Sequence, residues 1–217
     1  WLLSCDLWSR KISMKRLRIV RSMVVLGLIV VLTSVVCAEE RDQRASLSTK
    51  DFFEAARSGQ TTTVDSFLNK GMDIETRDEE IGATALYLAS EKGQKGIAET
   101  LLVHGAKVNT VTAIGRRTPL HAAATPEIAK LLIEKGADVN ARAVGGLTPL
   151  HTVLFTYDPK VPRDVQVKIK FELIKLLIAK GADPNIKDTY LRASPMDIAV
   201  KEGNRELISI FRGEGKL

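Results

Sequence analysis

Thr118-Pro119-Leu120-His121-Ala122-Ala123 returns thirty residues later as Thr148-Pro149-Leu150-His151-Thr152-Val153. Two weaker copies flank the pair. Thr84-Ala85-Leu86-Tyr87-Leu88-Ala89 lies 34 residues before Thr118, and Ser194-Pro195-Met196-Asp197-Ile198-Ala199 follows Thr148. A second element alternates with the first: Gly136-Ala137-Asp138-Val139-Asn140, with copies at Gly105–Asn109, Gly181–Asn185 and, more divergent, Gly71–Glu75. Spacing of this size is the signature of a chain built from stacked supersecondary units, each too small to bury its own apolar face.

The residues inside each unit say what the units are. Thr118, Thr148 and Ser194 are helix N-cap types, and each precedes a Pro, whose missing N–H is unpaired anyway in a first helical turn. Gly71, Gly105, Gly136 and Gly181 stand where a left-handed residue ends a helix. Counted back from these glycines, positions −3, −4 and −7 are apolar in all four units: Leu68, Phe67, Val64; Leu102, Leu101, Ala98; Ile133, Leu132, Ala129; and Ile178, Leu177, Ile174. That spacing makes one apolar stripe per helix, which only a neighbouring unit can cover.

Two motifs in this order and phase resemble the ankyrin repeat family. The resemblance covers about residues 50–215 and implies an all-α solenoid of about five stacked helix-turn-helix units joined by β-hairpin-like loops. The units fall at about 48–82, 83–116, 117–146, 147–192 and 193–215 within a domain spanning 48–217. The ends read as caps: Lys50-Asp51 replaces the Thr-Pro pair of the first unit, and Arg212 takes the place that Leu102 holds in the second. Two units depart from the pattern. From Thr118 to Gly136 is 18 residues against 21 from Thr84 to Gly105, so about three residues are missing, placed here between the helices at Thr125-Pro126. From Thr148 to Gly181 is 33 residues, and the excess, Phe155 to about Lys168, reads as a longer inter-helix loop with the second helix starting near Asp164.

Charge and composition locate a separate N-terminal segment. Residues 1–38 carry six of the 32 basic residues and one of the 26 acidic ones, so the remainder holds 26 basic and 25 acidic side chains. The excess of +6 is therefore almost entirely N-terminal, and the repeat region offers no overall electrostatic footprint for nucleic acid. Met14-Lys15-Arg16-Leu17-Arg18, the uncharged run from Met23 to Val36, and Ala38 before Glu39-Glu40 have the parts of a secretory signal peptide over 14–38. Residues 1–13 read as upstream sequence and 39–47 as a polar leader. Cleavage after Ala38 would remove both Cys and both Trp, which suits an oxidising compartment and a periplasmic setting. Retention of residues 19–38 as a membrane anchor, or lipidation at Cys37, are the competing outcomes.

No set of residues has the spacing of a catalytic, metal or cofactor site. His121 and His151 sit within the repeat motif, where the resemblance implies a structural role, and Tyr87 and Asp197 take their place in other units. No HExxH, nucleophile-elbow or phosphate-loop pattern occurs. Asp78-Glu79-Glu80 reads as a solvated acidic run without calcium-loop spacing. An active site in the unit-four insertion would have to use His151, Asp158 and Asp164. What remains is surface. The resemblance implies a protein partner docked on hairpin tips (76–80, 110–116, 141–145 and 187–192) and on inner helix faces. The candidate contacts are Arg116, Arg142, Tyr190 and Arg192 at the tips, since Arg and Tyr are enriched among binding hot spots. Tyr87 and Phe155 are the candidates on the inner helices, and Tyr157 in the insertion. Acidic Asp78–Glu80 at one end and Lys187 and Arg192 at the other suggest a charge gradient. The expectation is a monomeric, exported, non-enzymatic scaffold without cofactor, with two variants: a regulatory accessory protein of an exported enzyme, or a secreted effector acting on a host protein.

Overall fold

The computed structural model describes residues 49–155 and 162–214. The signal peptide, the leader and Tyr157 expected from the sequence lie outside these residues. The described chain opens in helix α1 (residues 49–58). It continues as α2 (Thr61–Asn69), α3 (Ala85–Glu91), α4 (Lys95–Val103), a single 3-10 turn (Pro119–Ala122), α5 (Pro126–Glu134), α6 (Pro149–Phe155), α7 (Arg163–Ala179), α8 (Pro195–Lys201) and α9 (Arg205–Phe211).

These elements form two parallel rows. In one, α3 packs on the 3-10 turn, the turn on α6, and α6 on α8; in the other, α2, α4, α5, α7 and α9 pack in sequence. The apolar stripe supplies the second row. Val64, Ala98, Leu101, Ala129, Leu132, Ile174 and Leu177 are buried, whereas Leu68, Leu102, Ile133 and Ile178 pack partly buried at its edge. Burying a side chain the size of Leu132 is worth about 2 kcal/mol. The continuity of this core from Phe52 to Phe211 is what makes five weak helix pairs one folded body. Gly71, Gly105, Gly136 and Gly181 hold φ between 88° and 91°, as the helix-stop pattern required.

Polar contacts lock each unit to the next. Asn109 Nδ2 donates to the Gly136 carbonyl at 3.0 Å while its Oδ1 accepts from the Asp138 N–H at 3.0 Å. Asn140 repeats the pair with Gly181 (3.1 Å) and Asp183 (2.9 Å). Glu75 takes the acceptor half alone, receiving the Lys107 N–H at 2.8 Å.

Both irregular units differ from their sequence reading. In unit three the missing residues come out of the first helix, not out of the turn. Three residues separate α3 from α4, and three separate the 3-10 turn from α5, but the turn has four residues where α3 has seven. The reason is local. Pro126 pushes Thr125 out of the helical region, to φ −135° and ψ 153°, and Ala123 leaves it at ψ 109°. The chain has no room for a second turn. The Ala124 N–H is paired outside the unit instead, donating to the Ser90 carbonyl at the end of α3 (3.1 Å). In unit four, α7 does start beside Asp164, but residues 163–168, counted above with the loop, are helical. With 17 residues against nine in α4 and α5, α7 gains about two turns, or about 12 Å.

Candidate protein-docking surface

Four hairpins join the units, three built on the same residue positions and the third one residue shorter. The N–H of Asp78, Thr112, Ala143 and Asp188 donates across its own hairpin to Ala83, Arg117, Leu147 and Ala193 at 2.9, 3.0, 2.8 and 3.1 Å. In three of them the first residue also folds the tip through its side chain. Asp78 Oδ1 accepts from Ile81 and Ala83, Thr112 Oγ1 from Arg117, and Asp188 Oδ1 from Tyr190 and Leu191 at 2.7 and 2.6 Å. Burial raises the pKa of the Asp188 carboxyl, but these N–H groups outweigh burial and hold it below the ordinary aspartate value. Its Oδ2 is buried without a partner.

Each tip is then tied to the next. Ile114 N–H donates to Ile81 O (3.0 Å), Val144 N–H to Gly115 O (2.9 Å) and Thr189 N–H to Gly145 O (2.7 Å). Guanidinium groups reinforce the ladder. Arg77 donates to Val111 O at 2.7 Å, and Arg142, at the matching position two hairpins on, donates to Lys187 O at 3.1 Å. The result is a row of tips whose backbone is held on both sides.

The sequence candidates separate on this frame. Arg116 and Arg192 are exposed, and among the described residues neither guanidinium makes an ion pair or hydrogen bond. Tyr190 is 70% exposed, with its ring lying directly over Gly145. Arg142 is exposed, but its guanidinium serves the Lys187 carbonyl, so part of its donor set is already committed to the stack. Phe155 is half exposed at the end of α6. Tyr87 is corrected: at 4% exposure it belongs to the core. Its ring is packed within the stack, and burial raises its hydroxyl pKa, opposed by the neighbouring Arg117 cation. Ile114 (65% exposed) and Leu191 (68%), absent from the sequence candidates, stand beside Arg116 and Tyr190. Aligning the tips on the N-cap residue, six positions after Asp78, Thr112 and Asp188, would have shown where these side chains fall.

The acidic run is corrected too. Asp78 is buried and Arg57 reaches it and Glu80 at 3.2 Å, so two of the three acids brace the first tip against α1. His121 and His151 are struts. Nδ1 of each accepts from the N–H of its own N-cap residue (Thr118 or Thr148) at 3.2 Å, and Nε2 faces the carbonyl of Leu147 or Ala193 at 3.1 and 3.3 Å. Facing a carbonyl, Nε2 must carry the proton. Burial lowers both ring pKa values, that of His121 to about 4. With both nitrogens engaged, His151 has none left for acid–base work on a substrate, and Asp164 sits on α7 as an N-terminal-turn acid. His104 Nε2 meets Asp65 Oδ1 at 2.8 Å, linking α4 to α2. Among the described residues no group of three or more His, Cys, Asp or Glu could hold a metal ion, and no helix is long and apolar enough to cross a membrane.

Stacked helix pairs that present a braced row of hairpins define a helical-repeat docking protein. Residues 52–143 match the family model for three copies of ankyrin repeats, and residues 145–189 match the model for a single ankyrin repeat. The chain belongs to the ankyrin repeat family, a family of protein-interaction scaffolds. Among curated relatives, NF-kappa-B inhibitor zeta of Bos taurus is 32% identical over 154 residues, covering 60% of this chain and 21% of that protein. Ankyrin repeat and SOCS box protein 11 of Danio rerio is 38% identical over 109 residues (49% and 36%). A putative ankyrin repeat protein of Rickettsia felis is 38% identical over 114 residues (50% and 47%). The alignments thus span from about a fifth to about half of these relatives' lengths.

Proposed function

We propose that this chain is an exported, non-enzymatic scaffold that binds one protein partner through its hairpin tips and the exposed ends of its inner helices. The observation that carries this is the inter-hairpin ladder. Each tip's backbone is fixed by its neighbours before any partner arrives, which lowers the ordering cost of association. Arg116, Tyr190 and Arg192 project from that fixed frame, and Phe155 projects from the inner row. Export rests on the charge and apolar pattern of residues 14–38.

A regulatory version of the same function is favoured by one comparison: the relative named as an NF-kappa-B inhibitor aligns over 60% of this chain. On that model, the partner would be an exported enzyme restrained by the bound solenoid. The test is crosslinked capture from the native envelope fraction, with N-terminal sequencing of the recovered chain. A single stoichiometric protein partner and a new N-terminus at Glu39 are the expected results. Recovery of the chain alone from every fraction refutes the docking function, and an uncleaved terminus refutes the export step.

A further inference from the structure

Each hairpin places a residue in the left-handed backbone region two positions before the N-cap of the next helix, and in hairpins two and three the glycine before it, Gly115 or Gly145, is left-handed as well. In two hairpins the residue two before the N-cap is glycine, Gly82 at φ 65° and Gly146 at φ 72°. In the other two it is arginine, Arg116 and Arg192, both at φ 51°. These are the only non-glycine residues with positive φ among the described residues. An L side chain at such an angle crowds its own carbonyl, and glycine, the natural solution, is used in the same place twice. The fold therefore gains nothing from arginine at either position, and backbone strain retained without structural return is a mark of function.

The surroundings say what the two side chains face. The tips over 110–117, 141–147 and 187–193 carry five cations and one carboxylate, Asp188, which is turned inward and buried. Three of the cations are engaged within the molecule, Arg117 with the Tyr87 hydroxyl, Arg142 with the Lys187 carbonyl and Lys187 with Asp197 at 3.9 Å, which leaves Arg116 and Arg192. Ile114, Tyr190 and Leu191 stand exposed between the cations. Resting on the docking function proposed above, we infer that hairpins two to four bind an acidic protein segment carrying interspersed apolar side chains, with Arg116 and Arg192 as its charge anchors. Alternation of cation and aliphatic group fits such a segment, since a phosphate backbone has no use for Ile114 or Leu191, and only Tyr190 among the three could stack on a base. The first tip lies outside this surface: its acids Asp78 and Glu80 are held by Arg57.

The test exploits the backbone. Arg116→Gly with Arg192→Gly removes both anchors and relieves both strained angles, so the double variant melts no lower than the parent while losing its ligand. The probe is a fluorescein-labelled dodecapeptide alternating glutamate with leucine and tyrosine, titrated by anisotropy with the full chain, beside a lysine-for-glutamate counterpart and a single-stranded RNA dodecamer. The acidic peptide should bind the parent and bind the double variant at least about tenfold more weakly, as expected for losing two close charge pairs. No binding to the parent, equal binding to both proteins, or tighter binding of the RNA overturns the inference. Crosslinked capture keeps the two proposals apart. A native partner recovered equally by the double variant leaves docking in place and removes the acidic-tip assignment, whereas no partner with either protein removes docking itself.

Discussion

Acid should unpick the stack at His121, and the size of the effect follows from its ring. The folded-state pKa is about 4 against an ordinary 6.5, with burial the main cause. A depressed histidine pKa means the folded state resists the proton. The contribution is complete above pH 6.5 and is lost as pH falls through 4. A difference of that size corresponds to about 3 kcal/mol, at about 1.4 kcal/mol per pH unit. Geometry agrees in sign, because protonating Nδ1 sets its N–H against the Thr118 N–H that it now receives. The comparison protein is His121→Gln, which cannot titrate. At pH 7 it should be less stable by about 1–2 kcal/mol, for imperfectly replaced hydrogen bonds. Urea unfolding followed by far-ultraviolet circular dichroism at pH 7, 5.5 and 4 gives the difference between the two proteins, in which the carboxylates common to both cancel. That difference should shrink steadily and vanish or reverse near pH 4. Parallel stability curves, or a His121 imidazole resonance (the one lost in His121→Gln) titrating near 6.5 in the folded protein, would refute the reasoning.

Other substitutions probe other joints. Leu132→Ala, at a fully buried central position, should cost about 3 kcal/mol in chemical denaturation. Arg116→Gly alone should raise stability by about 0.5–1 kcal/mol, read as a higher thermal midpoint, because the left-handed angle suits glycine. Asn140→Ala removes the bonds to Gly181 and Asp183, costing about 1–2 kcal/mol. Faster amide exchange at Asp183 than at Asp138 would show the break between units three and four.

The repeat order, the helix stops and the buried stripe were all legible because each depends on residues within one unit. Pro119 after Thr118, Gly136 after α5, and Ala129 and Leu132 along it need no knowledge of neighbours. What the sequence concealed depends on contact between units. Tyr87 looks like a surface aromatic until α3 packs against the 3-10 turn of the next unit and draws it into the core. Arg142 looks free until the fourth hairpin offers the Lys187 carbonyl. The shortened unit three was visible as a length, but only the extended Thr125 and the Ala124–Ser90 bond show that a helical turn was surrendered. Arg116 and Arg192 were visible as tip cations; their backbone angles were not.

The asparagine couplings set a rule for how this column can grow. Asn109 and Asn140 each read the closing turn of the unit that follows, so the third unit carries both one socket and one plug. Asn185, at the same place in the fourth unit, turns its amide back to Asp183 at 3.1 Å. Copying residues 117–146 in tandem would therefore lengthen the molecule with the asparagine coupling satisfied at each new junction, leaving only the Ala124 N–H, which now reaches the Ser90 carbonyl of a longer helix, to find another acceptor.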